Sequence, residues 1–130
     1  MKKFYQIKAY PEKRLVVEVC KDFWTREVAK SYLEDFKKTA SQLNGQKWAL
    51  LTDASLWKSD SDEAVIEIIG DHFDWNRQNG MAHNANIAGG LIEQAKLKKM
   101  FEAGGVSDIA KVFLDKKDAY RWLKNEGYNL

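Results

Sequence analysis

The chain has 130 residues, 45% of them hydrophobic, which is the size of one domain with an ordinary core. Its 21 basic and 19 acidic residues give a net charge of +2 and are interleaved, which argues against a nucleic-acid-binding protein. No apolar stretch approaches the ~20 residues that span a bilayer. The single Cys20 excludes an intrachain disulfide and suits a reducing compartment. We therefore predict one cytoplasmic domain over residues 1–130, without a transmembrane segment.

The first part of the chain predicts a hairpin followed by a helix. FYQIKAY (4–10) alternates in polarity and RLVVEV (14–19) is rich in β-branched residues, so we expect two antiparallel strands joined by the turn PEK. Thr25 is placed to cap a helix whose apolar residues recur at helical spacing as far as Asn44-Gly45. The apolar stripe is narrow, which predicts packing on one face of a sheet.

The remainder alternates strands and helices. Residues 48–52 are continuously apolar, which is typical of a strand covered on both faces. Helical patterns follow at about 62–79, at 91–103 and after Asp115. Two strands are predicted between them: MAHNANIA (81–88), from its position between helices, and 109–114, an edge strand because it contains Lys111. The order β-β-α-β-α-β-α-β-α predicts an α/β sandwich with a mostly parallel sheet and an N-terminal antiparallel hairpin.

This order of elements resembles the SpoIIAA-like, or STAS-type, domains, which are relatives of the anti-sigma-factor antagonists. The stretches LLTDAS and KVFLDKKDAYRWLKNEGY carry the resemblance. In many such domains the last strand and helix read as a Phe, an acidic turn, an Ala and a Trp-Leu pair, as here in Phe113, Asp115, Ala119, Trp122 and Leu123. The resemblance covers nearly the whole chain. It implies a bacterial regulatory or protein-binding module rather than an enzyme.

The resemblance also implies a site after the central strand. Antagonists carry Asp-x-Ser there, and Asp-Ser-Ser-Gly at the start of the next helix, where a partner kinase phosphorylates a serine. Asp53-Ala54-Ser55 matches the first motif, whereas only Asp60-Ser61 matches the second, one residue closer and with Glu63 in place of the glycine. Ser61 is thus the candidate phosphorylation site. A plainer interpretation is that Asp60 and Glu63 cap the helix.

The titratable residues form no recognisable catalytic or metal-binding set. A serine nucleophile needs a base held by a third group, and neither His72 nor His83 lies in such a motif. The spacing of the histidines, the single thiol and the acidic residues matches no zinc site or calcium loop. An enzyme that uses Asp53, Ser55 or His83 therefore has no support from spacing. We expect no enzymatic activity, no cofactor and no metal.

The second predicted helix has a surplus of apolar surface. At 100° per residue, the apolar residues of this helix cover an arc of roughly 200° of its circumference. Packing on a sheet needs only about half of that arc. The surplus is covered by the third helix, or it forms a groove for a partner protein, a homodimer mate or an apolar ligand. The candidate surface consists of Asp53, Ser55, Trp57, Ile66, Phe73, Trp75, Leu97, Met100 and Phe101.

Two functions follow from this surface. The leading prediction is a non-enzymatic module that binds an unidentified protein. The alternative is a carrier or sensor of a small, lipid-like ligand, with Trp57, Phe73, Trp75 and Met100 as pocket walls. Trp57 is predicted to lie in a loop at the carboxyl end of a parallel strand, where open α/β sheets bind ligands, or else to fold back over the end of the sheet as a lid on the core.

Overall fold

The computed structural model describes residues 4–59 and 63–130, which form one five-stranded sheet and four helices. The strands are β1 (Tyr5–Tyr10), β2 (Leu15–Trp24), β3 (Trp48–Ser59), β4 (Met81–Ala88) and β5 (Ala110–Phe113). The helices are α1 (Arg26–Ala40), α2 (Glu63–Gln78), α3 (Leu91–Gly104) and α4 (Lys116–Asn125). The sheet order is β1-β2-β3-β4-β5, with β1 antiparallel to β2 and the other neighbours parallel. The predicted fold class is confirmed.

Two predicted helix caps are present. The hydroxyl of Thr25 accepts the backbone N–H of Val28 at 3.4 Å, and the carboxylate of Asp115 accepts that of Lys117 at 2.8 Å. Each cap satisfies one of the N–H groups that a helix start leaves without an intrahelical partner. No helix in the described residues is both long enough and apolar enough to cross a membrane.

The four helices divide unequally between the two faces of the sheet. Helices α1, α2 and α3 cover one face, which we call the broad face, and α4 covers the other, which we call the narrow face. The broad-face core includes Val16, Phe36, Leu50, Val65 and Met100. The narrow-face core includes Leu15, Leu51, Ala85, Ile87 and Leu123. The alternating side chains of β2, β3 and β4 supply both cores.

Strand β4 forms although its sequence, MAHNANIA, has low strand propensity. It lies between β3 and β5, and its residues 84–88 are all buried. Position inside a sheet outweighs the intrinsic preference of asparagine and alanine. The prediction of a strand at 81–88, made from its place between two helices, is confirmed.

Strands β2 and β3 are longer than predicted. Beyond an irregularity in the pairing after Val19, Lys21 pairs with Leu56, and the pairing continues to Ser59. The additional residues of β2 and β3 are backbone hydrogen-bond partners of each other. The local sequence of either strand does not reveal this pairing. The prediction that Trp57 lies in a loop is therefore wrong, because this residue is part of β3 and its side chain is buried.

Helix α2 lies between α1 and α3, and these neighbours cover most of its surplus apolar surface, leaving Ile66 and Trp75 half-buried. A Cβ on Gly70 would lie 2.8 Å from the Cβ of Ala103, and a Cβ on Gly104 would overlap the carbonyl oxygen of Gly70. The backbones of α2 and α3 thus approach as closely as glycine allows. On the other side, the ammonium group of Lys37 in α1 lies 5.2 Å from the ring centre of Trp75. Burial by neighbouring helices therefore accounts for the wide apolar arc.

Candidate functional site

The polar members of the predicted surface, Asp53 and Ser55, interact with each other. The Ser55 hydroxyl donates to Oδ1 of Asp53 at 2.6 Å, and the Ser55 N–H donates to the same oxygen at 3.0 Å. The other Asp53 oxygen lies 3.8 Å from Nζ of Lys116. Ser61, the candidate phosphorylation site, and Asp60, the candidate cap, lie outside the described residues. Phosphorylation at Ser61 stays a prediction.

The apolar members of the predicted surface are mostly buried within the chain. Ile66 and Trp75 are half-buried, and the others are buried in the broad-face core: Trp57, Phe73, Leu97, Met100 and Phe101. Four of them, Trp57, Phe73, Leu97 and Met100, line one cavity. The remaining predicted surface residues do not line it.

This cavity, which we call the broad-face cavity, has a volume of about 30 Å³ and lies between the sheet and its three helices. Its apolar walls are Trp24, Trp57, Ile69, Phe73, Leu97 and Met100. Its other lining residues are Glu18, Cys20, Tyr32, Thr52, Ala54 and Asn86. The volume is enough for one or two water-sized groups.

A row of polar side chains forms the floor of the cavity. Glu18 on β2 pairs with Thr52 on β3, and Thr52 pairs with Asn86 on β4. All three are buried and point to the broad face. Further toward the carboxyl ends of the strands, Cys20 and Ala54 have small side chains, which leave space above the row. Three adjacent strands therefore present a carboxyl, a hydroxyl and an amide to one small space.

The Glu18 carboxyl is held by hydrogen-bond donors. The Tyr32 hydroxyl lies 2.7 and 2.8 Å from its two oxygens, and the Thr52 hydroxyl donates to Oε2 at 2.7 Å. Burial raises the pKa of Glu18 to about 7, although hydrogen bonds from Thr52, Tyr32 and Cys20 act in the opposite direction. This buried carboxyl therefore changes its charge near neutral pH.

The buried His72 extends this network to α2. Its Nε2 lies 3.1 Å from the Tyr32 hydroxyl and 3.2 Å from Nδ2 of Asn76. Burial, with a smaller contribution from Lys37, lowers the pKa of His72 to about 3, so the ring is neutral at pH 7. Hydrogen bonds thus connect His72, Tyr32 and Glu18 across three elements of the fold.

Three buried polar atoms have no hydrogen-bond partner within the described part of the chain. They are Nδ1 of His72, Oδ1 of Asn76 and Nδ2 of Asn84. Asn84 also accepts a hydrogen bond from Nδ2 of Asn86 at 2.7 Å, although it does not line the cavity itself. Leaving a buried polar group without a hydrogen-bond partner costs about 1–3 kcal/mol.

Neither histidine can activate Ser55 in this geometry. His72 is enclosed on the broad face, and His83 lies at the narrow face, where its ring nitrogens are 2.9 Å from the Tyr128 hydroxyl and 3.0 Å from Glu126. Within residues 4–59 and 63–130, no group of three or more His, Cys, Asp or Glu side chains lies close enough to hold a metal ion.

Sequence reasoning missed the polar floor. The position of Glu18 in the run VVEVC could have indicated its burial. Side chains of a strand alternate between two faces, so Glu18 shares a face with Val16 and Cys20, and that face points into the core. Nothing in the sequence relates it to Thr52, Asn86 or Tyr32, which come from distant segments.

A second feature of this region is a set of exposed apolar residues, which we call the carboxyl-edge residues. They lie at or just beyond the carboxyl ends of the parallel strands: Phe23, Leu56, Leu91, Ile92 and Leu114. Each is between 53% and 74% exposed. Side chains of this size are usually buried, and these five are exposed near one edge of the sheet.

No protein-family model matches the chain, and no curated protein matches its sequence. A solved structure does match: an uncharacterized protein from the DUF3478 family with a SpoIIAA-like fold, from Shewanella loihica PV-4. The two chains are 15% identical, the match covers 92% of this chain and 91% of the other, and the TM-score is 0.63. The predicted SpoIIAA-like fold is confirmed. At this identity the likeness concerns the fold alone.

Proposed function

We propose that this protein is a non-enzymatic binding module whose broad-face cavity, at about 30 Å³, receives one end of a small, mainly apolar ligand. One observation carries the proposal: a row of buried polar side chains lies beneath apolar walls, close to the carboxyl ends of parallel strands. Ligand sites combine apolar walls with a few convergent polar groups, and open α/β sheets bind ligands at this edge.

Packing of the broad-face core does not by itself call for the row of Glu18, Thr52 and Asn86. Burying a carboxyl group is costly even when it is hydrogen-bonded, and apolar residues of similar size often replace buried charged groups without loss of stability. Buried ionisable groups with strongly shifted pKa values concentrate at functional sites. The broad-face cavity has such a group in Glu18.

The nucleophiles near the site also favour binding over catalysis. Burial raises the pKa of the Cys20 thiol well above its usual value, and the Glu18 charge acts in the same direction, so the unreactive thiol form prevails. Ser55 is hydrogen-bonded to Asp53 and has no histidine beside it. Among the described residues that line it, the cavity therefore lacks an activated nucleophile.

A cavity-filling substitution tests the proposal. Ala54→Val adds two methyl groups inside the broad-face cavity, whereas Ala95→Val adds them on the exposed side of α3. We expect native mass spectrometry and intrinsic tryptophan fluorescence, with a panel of small apolar molecules, to detect binding to the wild type and to Ala95→Val but not to Ala54→Val. Absence of binding by the whole panel, or equal binding by Ala54→Val, would contradict the proposal.

A second candidate function, a protein-binding module, is supported by the carboxyl-edge residues. We propose that a partner protein docks there, with Leu56 and Leu91 among its contacts, as the SpoIIAA-like resemblance suggests. A cytoplasmic location stays a prediction, and a homodimer is one outcome of the test below.

Leu56→Ser changes one of the carboxyl-edge residues. Tyr120→Ser is the matched control, because Tyr120 is also exposed but lies on α4. We expect a stoichiometric partner to be recovered with the wild type and with Tyr120→Ser, and to be lost with Leu56→Ser. Light scattering would reveal self-association as the alternative. Recovery that is the same for both variants would exclude the carboxyl edge as the docking surface.

A further inference from the structure

We infer that the ligand of the broad-face cavity is a small protonated amine, whose ammonium group meets the Glu18 carboxylate and the surrounding aromatic rings. The inference rests on the proposed function and names the ligand class. It is drawn from the charge, the ring geometry and the size of the cavity.

The charge of the lining residues favours a cation. Glu18 is the only acidic residue among the described residues that line the cavity, and no lysine, arginine or histidine is among them. The nearest basic ring, His72, stands behind Tyr32 and is neutral at pH 7. A carboxylate ligand, such as a fatty acid, would face Glu18 without any cation to balance the two charges. A protonated amine would supply the missing positive charge.

The aromatic walls suit a cation as well. The ring centres of Trp24 and Tyr32 lie 5.0 Å apart with the planes at 58°, and those of Trp24 and Trp57 lie 6.5 Å apart with the planes at 78°. All three rings line the cavity together with Glu18. Aromatic faces attract ammonium groups, and the attraction is stronger where water is excluded. Three aromatic rings that line the same small cavity as a carboxylate therefore offer an ammonium group both a counter-charge and π surfaces.

The size of the cavity limits the ligand. A volume of about 30 Å³ accommodates an ammonium group, which is close to a water molecule in size, but little more. An attached hydrocarbon tail has to displace side chains that line the cavity, and Met100 is one of them. Methionine is flexible and adapts to irregular shapes, so a short, unbranched tail is favoured over a bulky one.

The protonation of Glu18 makes this binding depend on pH. The groups that face it are Thr52 from β3, Cys20 from β2 and Tyr32 from α1, with His72 of α2 behind Tyr32. Helix α3 contributes only the uncharged Leu97 and Met100 to the lining. The pKa values of Cys20 and Tyr32 are raised well above their usual values, so both stay neutral at pH 6–8. Glu18 is the group that ionises in this range, and its negative form binds the cation.

The test uses the full chain and four probes of known charge. Methylammonium and n-butylammonium chloride are compared with 1-butanol and sodium butyrate by tryptophan fluorescence titration at pH 6 and pH 8. We expect both ammonium ions to bind, butanol to bind at least about tenfold more weakly, and butyrate not to bind. Affinity for the ammonium ions should rise about tenfold from pH 6 to pH 8 as Glu18 ionises.

Glu18→Gln should weaken ammonium binding at pH 8 by at least about tenfold and abolish its pH dependence, whereas Glu12→Gln, at an exposed turn position, should change neither. Ammonium binding that is independent of pH in the wild type would overturn the inference, and this readout needs no variant.

The other outcomes separate the ligand class from the existence of the site. If butyrate or butanol binds as tightly as butylammonium and Ala54→Val abolishes that binding, the amine assignment is wrong but the cavity remains a ligand site. If the ammonium ions fail to bind while other small apolar molecules do, the amine assignment is again wrong and the cavity again remains a ligand site. If no molecule binds in a manner sensitive to Ala54→Val, both proposals fail.

Discussion

The two faces of the sheet are built from the same strands but differ in what they bury. On the narrow face, α4 packs on Ala49, Leu51, Ala85 and Ile87, and the buried cluster there is apolar. On the broad face, the alternate positions of the same strands include Glu18, Thr52, Asn84 and Asn86. One face is an ordinary core, and the other combines a core with a polar cavity.

This difference supports the proposed function of the broad-face cavity. A sheet face can be covered by apolar residues alone, as the narrow face demonstrates, so burial does not require the polar groups of the broad face. Those groups include a carboxyl with a raised pKa and a histidine with a lowered one. Buried groups with strongly shifted pKa values occur more often at functional sites than elsewhere in a core.

The largest expected effect concerns the narrow face. Leu123→Ala removes a fully buried side chain of α4 and should reduce the free energy of unfolding by about 2–5 kcal/mol, because the cavity it leaves is only partly filled by relaxation. Urea denaturation measures the loss. Leu114→Ala, at a position that is more than half exposed, should change stability by less than about 0.5 kcal/mol. Similar losses for both variants would show that α4 does not carry the narrow-face core.

The next effect concerns the broad face, where the titrations of Glu18 and His72 change the free energy of unfolding in opposite directions as the pH rises. The pKa of Glu18 is raised from 4.5 to about 7, so its contribution to stability is present below pH 4.5 and is lost as the pH rises to about 7. The pKa of His72 is lowered from 6.5 to about 3, so its contribution is present above pH 6.5 and is lost as the pH falls to about 3. Between pH 4.5 and 6.5 the two slopes have opposite signs and nearly cancel.

Glu18→Gln removes one of these slopes. The free energy of unfolding of this variant should rise by about 2–3 kcal/mol more than that of the wild type between pH 4.5 and pH 6.5, because the His72 contribution is no longer opposed. Chemical denaturation at several pH values measures both profiles. Glu12→Gln, at an exposed site, serves as the control. Parallel profiles for the wild type and Glu18→Gln would show that Glu18 does not titrate in this window.

A smaller effect is expected from Thr52→Val, which keeps the shape of the side chain but removes the hydroxyl that donates to Glu18. We expect a loss of about 1–3 kcal/mol at pH 8, where Glu18 is ionised and its acceptor is left short of a donor, and a smaller loss at pH 5. Thr39→Val is the control, since the Thr39 hydroxyl donates to the carbonyl of Asp35 in the same helix. A loss for Thr52→Val that does not vary with pH would disprove the link to Glu18.

The smallest effect should come from the carboxyl edge. Leu56→Ser replaces an exposed side chain and should alter the free energy of unfolding by less than about 0.5 kcal/mol. It should also leave ammonium binding in the broad-face cavity unchanged. Thermal and urea denaturation measure the first quantity and fluorescence titration the second. A loss of several kcal/mol would mean that Leu56 packs within the fold rather than on a contact surface.

The general architecture could be predicted because its signals are local. Helical periodicity, the caps at Thr25 and Asp115, and the β-branched run at 14–19 each depend on neighbours a few residues away. Strand β4 needed one further argument, its place between two helices. The lengths of β2 and β3 were missed because each extension depends on the other strand, and the two are separated in sequence by α1.

The sequence by itself determined the order of strands and helices, the helix starts and the apolar stripes that build both cores, since these follow from the chemistry of adjacent residues. Only the tertiary structure decided that α2 is enclosed by α1 and α3, that Trp57 is a wall rather than a loop residue, and that Glu18, Thr52 and Asn86 share one row. The physical reason is register. Which side chains meet across a sheet depends on how distant strands align, and a shift by one residue would turn the Glu18 carboxyl to the opposite face.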